Sequence, residues 1–360
     1  MVLQLKKTLL KSILNNKLSQ IIIIFVYRSL LHIMNYYISD SQDPYFNIAS
    51  EEYLLKMYDK DFFFLYINQP ALIVGKHQNT LAEINLDKVE AENIPVIRRL
   101  SGGGTVFHDL GNLNYCFIKK GEKGKLVDFK KYSEPIINTL QKLGVNAKFE
   151  GKSDLTIEGK KFSGNASHVY RNKVMQHGTM LFSSDLKRLN QLLKVNPLKF
   201  KDRGVRSIRS RVTNITDYLS NPISTNELAN HILSEIKNTY PNATKFQLSE
   251  LDKQAIKKLS EDKYESVEWN YGYSPTYKFQ KMSNFSGGKF LEIEMKVSKG
   301  IIESVEISGN CIITTTIEEF HSKLKGLNHT KSTINKMINN NNLNLYFNNL
   351  SVKELLQLLF

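Results

Sequence analysis

The stretch Arg98-Arg99-Leu100-Ser101-Gly102-Gly103-Gly104-Thr105-Val106-Phe107-His108-Asp109 decides how the rest of this sequence is read. Two arginines close a β-type run, Pro95-Val96-Ile97, and three glycines follow. The β-branched pair and aromatic after them predict a second strand. Glycine at a strand-to-strand corner lets the backbone adopt positive φ and approach a ligand closely, so that successive N–H groups converge on an anion. Arginine beside such a corner offers a forked donor suited to phosphate or carboxylate. Taken alone, three glycines are better explained by a tight hairpin with two solvated arginines. The stretch is not a P-loop, because no Lys-Ser/Thr follows, and it is not the dinucleotide fingerprint, because a strand follows and not a helix.

Working outward, two further blocks stand in a fixed order behind it. One is Ser153-Asp154-Leu155 with Lys160-Lys161-Phe162-Ser163-Gly164-Asn165-Ala166, and the other is Ser207-Ile208-Arg209-Ser210-Arg211-Val212-Thr213-Asn214. Asp40-Ser41-Gln42-Asp43-Pro44-Tyr45-Phe46-Asn47 precedes them, and Glu268-Trp269-Asn270-Tyr271-Gly272 lies toward the end. Together these blocks resemble the lipoate–protein ligase A family over nearly everything after Met34.

That resemblance implies a large mixed-sheet, biotin/lipoate-ligase-like catalytic domain followed by a smaller α+β domain. It implies activation of lipoate by ATP to lipoyl-AMP, then transfer of the lipoyl group to a lysine. Lys161 corresponds to the family's essential lysine, contacting both acyl group and α-phosphate. Arg99, Gly104, Thr105, Val106 and Phe107 correspond to the nucleotide-binding part. Asp154 is expected either to orient Lys161, to approach a nucleotide-bound Mg²⁺, or to be a structural strand-edge aspartate. The expected co-substrates are ATP with Mg²⁺, and lipoate; the metal ligands stay open. The expected acceptors are lipoyl domains of 2-oxoacid dehydrogenase acyltransferase subunits and the glycine-cleavage carrier protein. Arg206, Arg209 and Arg211 fall in the segment that reorders over the adenylate in the family. Two related readings compete: a lipoyl or octanoyl transferase working through a cysteine nucleophile, and a degenerate ligase that only binds lipoyl domains. Biotin–protein ligase shares the adenylation logic, but its biotin-binding pattern is not present.

The chain has 360 residues, 41% hydrophobic and 23% charged, enough for two domains and a sizeable core. Its formal charge of +14 favours an acidic partner. No helix-turn-helix pattern or zinc-finger spacing points to nucleic acid. Two cysteines, Cys116 and Cys311, make no disulfide framework and no CxxC, which suits a reducing compartment. Cys116 reads as a small core residue inside a strand. His108 and His177 show no metal-ligand spacing and read as hydrogen-bonded core histidines.

Residues 1–33 contain five cations and no acid, with an apolar run Ile21–Val26 far shorter than the ~20 residues of a membrane span. They are expected to be a mis-assigned start, with translation from Met34 and a cytoplasmic protein, or a mitochondrial presequence. The remaining pattern predicts α+β: a catalytic part over 34–243, a linker over 244–262, and an accessory domain over 263–360. Asp43-Pro44 marks a helix start. Phe62–Ile67 and Ala71–Val74 read as buried strands, and Val145–Phe182 reads as a meander turning at Glu158-Gly159 and Arg171-Asn172. Thr225–Thr239 reads as a helix, and Lys289–Lys296 with Ile301–Ser308 as a hairpin about Lys299-Gly300.

Overall fold

The computed structural model describes residues 33–121, 124, 126–193, 199–208 and 210–360. The reading of residues 1–33 as a leader therefore falls almost wholly outside the described residues, and so does that of Arg209.

The main sheet begins with β1 (Met34–Ile38), and helix α1 (Pro44–Met57) follows. Asp43 caps α1 by accepting from the Tyr45 amide at 2.9 Å, with proline at the first turn, as the Asp-Pro pair predicts. Next come β2 (Asp61–Tyr66), β3 (Ala71–Val74), α2 (Leu86–Ala91), β4 (Val96–Arg98), β5 (Val106–His108) and β6 (Asn112–Lys120). Helix α3 (Phe129–Lys142) leads into β7 (Ala147–Glu150), β8 (Asp154–Ile157), β9 (Lys160–Tyr170) and β10 (Lys173–Leu181). Positive φ at Glu158 and Arg171 marks the two tight turns of that meander. Helix α4 (Leu186–Leu192), β11 (Phe200–Asp202), α5 (Thr225–Thr239), β12 (Thr244–Lys245) and α6 (Glu250–Leu259) follow.

Eight strands form one sheet in the order β12-β1-β2-β6-β10-β9-β8-β7, parallel between β12, β1 and β2 and antiparallel elsewhere. Both faces are covered, which explains the unbroken apolar run of β2. Phe63 and Leu65 point into a core shared with α3 and α5, and Phe62, Phe64 and Tyr66 into a core shared with α1 and α6. The short strands β3, β4 and β5 make a separate sheet with β3 central. The two runs that read as neighbouring buried strands, β2 and β3, thus belong to different sheets.

The segment expected as a linker is folded. Thr244 and Lys245 pair with β1, and α6 lies on α1, where the Asp252 carboxylate accepts from the hydroxyls of Tyr53 at 2.7 Å and Tyr58 at 2.8 Å. Its polar surface sequence hid a narrow apolar stripe, of which Ile256 is fully buried.

A second body follows from β13 (Tyr277–Phe285), β14 (Lys289–Ser298) and β15 (Ile301–Gly309), with α7 (Ile317–Leu324), α8 (Lys331–Asn339) and α9 (Val352–Leu359) packed on them. The expected hairpin is β14–β15, with Lys299 and Gly300 at positive φ. One partner was not expected: β11, from before α5, pairs antiparallel with β13 and closes this sheet as its edge. Among the described residues, no helix is long and apolar enough to cross a membrane.

Candidate functional site

The glycine corner joins β4 to β5, which both flank β3. Gly103 holds φ +85°, and a Cβ there would sit 3.1 Å from the Arg99 guanidinium, so both backbone and space select glycine. Arg99 is almost fully buried and braces the corner from behind. Its Nη1 donates to Ile73 O (2.9 Å), Nη2 to Gly102 O (2.6 Å) and Gly104 O (2.8 Å), and Nε to Ser101 Oγ (3.0 Å). Burial pushes its pKa down to about 10, partly offset by the nearby Glu51 carboxylate, so it stays charged at neutral pH. Arg99 also lines a cavity, but in this structure its donors engage backbone carbonyls and Ser101, and none is left as an open phosphate fork.

Arg98, next to it, does something else. It is completely buried and ties the two bodies together. It donates to the carbonyls of Gly75, Lys76 and Gln78 on one side and of Trp269 and Asn270 on the other, with Thr80 and Ser274 hydroxyls completing the set. The Trp269 indole N–H returns a bond to Arg98 O at 2.7 Å. The motif drew attention to both arginines, but the division of labour depends on which segment faces each side chain in the folded chain.

Lys161 sits at the start of β9. Pairing with β8 shifts register between Leu155 and Thr156, so that Phe162 is the extra residue of a bulge. Lys161 Nζ contacts Asp154 Oδ1 at 2.8 Å, the contact that the orienting role weighed for Asp154 requires. Its side chain lies over Gly164, where a Cβ would come within 2.9 Å of the lysine Nζ. The backbone of Lys161 is bridged to the arginine-bearing loop: its N–H donates to Arg211 O (2.8 Å), and Thr213 N–H donates to Lys161 O (3.0 Å).

That loop, residues 203–211, runs from β11 of the second sheet to the Lys161 bridge. Midway, Ser207 Oγ accepts from the Thr105 amide (2.9 Å) and from Gln78 Nε2 (3.1 Å), and donates to Glu83. Burial raises the Glu83 pKa, against the lowering effect of its bonds from Ser207. Arg206 is held by Asp202 at 2.9 Å, and Ile208 is 89% exposed. Gln78, Glu83 and Ser207 were not singled out from the sequence; only the block containing Ser207 drew notice.

Two cavities meet at these residues. One, of about 480 Å³, ends against Ile48, Tyr66, Ile73 and His177. The other, of about 680 Å³, is walled by Phe107, Leu181, Leu189 and Leu193. Thr105, Val106, Lys161, Gly164 and Ser207 line both. The structure therefore brings Arg99, Gly104, Thr105, Val106 and Lys161 to one cavity, and Phe107 to its neighbour. His108 and His177 are buried and hydrogen-bonded, as expected; burial, with Arg99 and His177 nearby, pushes the His108 pKa down to about 3. Cys116 is fully buried, its thiol pKa raised by desolvation, and neither cysteine lines either of these two cavities. Among the described residues, no group of three His, Cys, Asp or Glu side chains is arranged to hold a metal ion.

A two-body α+β fold places a glycine corner and a lysine where two cavities meet. Comparison with known proteins makes it specific. Residues 43–237 match the family described as lipoyl protein ligase A/B catalytic domain, and residues 274–359 match the bacterial lipoate protein ligase C-terminus. The chain is 38% identical over 322 residues to lipoate-protein ligase LplJ of Bacillus subtilis, covering 88% of this chain and 97% of that one. In fold it is similar to P. falciparum LipL1 in complex with lipoate, with a TM-score of 0.58 and 23% identity over 90% of this chain and 98% of that one. It is also similar to a lipoate-protein ligase A bound with ATP, with a TM-score of 0.56 and 24% identity over 67% of this chain and 99% of that one. The chain belongs to the lipoate–protein ligase family, and it is a ligase.

Proposed function

We propose that this enzyme activates lipoate with ATP and transfers the lipoyl group to a specific lysine of lipoyl-domain proteins. The observation that carries this reading is the position of Lys161, whose ammonium lies where the two cavities meet and beside the glycine corner. The cavity ending at Ile48, Tyr66 and Ile73 suits a short acyl chain. The one walled by Phe107 and leucines suits a purine, with the corner amides turned toward the phosphates between them.

In the first step a carboxylate attacks the α-phosphate, so two anions must meet. The lysine charge and the corner amides offset that repulsion once Ser207 Oγ has released the Thr105 amide. Asp154 keeps the Nζ aimed, and no covalent intermediate on the lysine is needed. Attack yields lipoyl-AMP and pyrophosphate; an acceptor amine then attacks the mixed anhydride and releases AMP. Magnesium entering with the triphosphate fits this site. Asp154 is a single, partly exposed carboxylate, which suits a cation held mainly by phosphate oxygens and water.

The cysteine-transferase reading lacks a residue, since neither thiol lines either of these two cavities. The carrier-binding reading leaves the preorganised corner without a purpose. Residues 34–243 are assigned the chemistry and residues 263–360 an accessory role. Acceptors are expected to be the lipoyl domains of 2-oxoacid dehydrogenase acyltransferase subunits and the glycine-cleavage carrier protein, in the cytoplasm. Mass spectrometry of a lipoyl domain incubated with enzyme, lipoate and ATP tests this. One lysine should gain a lipoyl group only when ATP is present. Modification that needs an acylated carrier protein in place of ATP would overturn the reading.

A further inference from the structure

Behind the glycine corner runs a buried chain of hydrogen bonds that the chemistry above does not use. Glu51 on α1 faces His177 on β10, with its two oxygens 2.7 and 2.9 Å from Nδ1. His177 Nε2 lies 2.5 Å from Ser101 Oγ, and Ser101 Oγ accepts from Arg99 Nε at 3.0 Å. Glu51, His177, Ser101 and Arg99 are all at least nine-tenths buried.

The bonds have a direction. Arg99 can only donate and the Glu51 carboxylate can only accept, so Ser101 Oγ accepts from Arg99 and its own hydrogen is available to His177 Nε2. The network thereby assigns the ring hydrogen to Nδ1, which donates to the Glu51 carboxylate. Tyr66 OH donates to the same carboxylate at 3.0 Å. The remaining Arg99 donors hold Ile73, Gly102 and Gly104, so the far end of the chain is the corner itself. A serine, a histidine and a carboxylate in line also describe a nucleophilic triad. Here that reading fails, because Ser101 lines neither cavity and its oxygen is occupied by Arg99.

We infer that Glu51 is a positioning residue for nucleotide binding, acting through His177 and Ser101 to hold Arg99 against the glycine corner. Among the described residues no carboxylate is ion-paired with Arg99, and Glu51 is the acidic group that offsets its burial. A neutral residue at the far end leaves the guanidinium less well compensated and the corner less fixed. Loss of positioning at a distance from the chemistry commonly costs ten- to about a hundredfold in rate. The Glu51–His177 end also borders the cavity assigned to the acyl chain, so acyl binding and nucleotide binding are the two effects to separate.

The inference rests on the ligase reading, and lipoate-dependent ATP–pyrophosphate exchange tests it in the full chain. Glu51→Gln keeps the shape and removes the charge. Ser101→Ala cuts the chain in the middle, taking one hydrogen bond from Arg99 but removing no buried charge, and so decides the matter if Glu51→Gln does not fold. Each should raise KM for ATP by about tenfold or more while KM for lipoate changes less than about threefold. The double variant should be no worse than the poorer single one, because both cut one chain. A normal KM for ATP in Ser101→Ala, additive losses, or an effect confined to lipoate would overturn the relay. A wild-type enzyme without exchange would instead remove the ligase reading. The relay would then stand or fall on ATP binding by calorimetry, where Ser101→Ala must bind about tenfold more weakly than wild type.

Discussion

The glycine corner, residues 99–105, and the loop 203–211 face the same cavities but are held in opposite ways. The corner is fixed from behind: Arg99 makes four hydrogen bonds, two of them to the turn carbonyls of Gly102 and Gly104 and the others to Ile73 O and Ser101 Oγ. The loop is fixed at its ends, to β13 through β11 and to Lys161 through Val212, and between them by Ser207 and Arg206. Ile208, at the middle, faces solvent. Stabilising a developing charge calls for rigid dipoles, whereas admitting and covering a ligand calls for a segment with few buried contacts. In the proposed function these demands fall to two stretches, and Lys161 is bonded to one and adjoins the other.

Lys161→Ala should break the comparison most severely, because both stretches then lack the charge they are arranged around. Adenylate formation should fall by about 10²–10³-fold with the fold intact, read by single-turnover kinetics beside circular dichroism. Near-normal activation would remove Lys161 from its role. Arg99→Lys keeps a charge behind the corner, but an ammonium cannot reach the three carbonyls held by the guanidinium. We expect kcat/KM for ATP to drop by about a hundredfold; an unchanged value would mean the corner does not need its brace.

The loop should respond far less. In the structure the Thr105 amide is taken by Ser207 Oγ, so a phosphate oxygen must displace that hydroxyl. Ser207→Ala should lower KM for ATP by about two- to fivefold, the worth of one ordinary hydrogen bond. A tenfold rise would show that the loop binds the nucleotide directly. The mildest expected effect concerns the fixed part of the fold. Burial opposes the Asp252 charge, but hydrogen bonds from Ser249, Tyr53 and Tyr58 outweigh it and hold the carboxyl at about 2, below its ordinary value of 3.8. The stability this confers is present above about pH 4 and lost as pH falls toward 2. Melting curves of Asp252→Asn and wild type should differ at pH 6 and converge on acidification. A constant gap would place the contribution in packing.

The corner was legible in the sequence because glycine at positive φ has few substitutes, and the Asp-Pro helix start and the tight turns follow equally local rules. What was not legible depends on which segments meet. Arg98 and Arg99 are adjacent and alike in type, yet one joins two bodies and the other braces a turn, because Asn270 happens to face one and Gly104 the other. Helix α6 looked like linker because its apolar face is a single narrow stripe. Strand β11 is three residues long and pairs with a strand more than seventy positions away, which no local pattern announces. Glu51 sits in a helix, where a glutamate ordinarily marks a solvated face.

We propose that a preformed corner and Lys161 activate a carboxylate with ATP. Exchange of labelled pyrophosphate into ATP, measured with and without lipoate, tests it most directly. Exchange should depend on lipoate and disappear in Lys161→Ala. Exchange that is absent from the folded wild-type enzyme with lipoate present, or undiminished in Lys161→Ala, would contradict it.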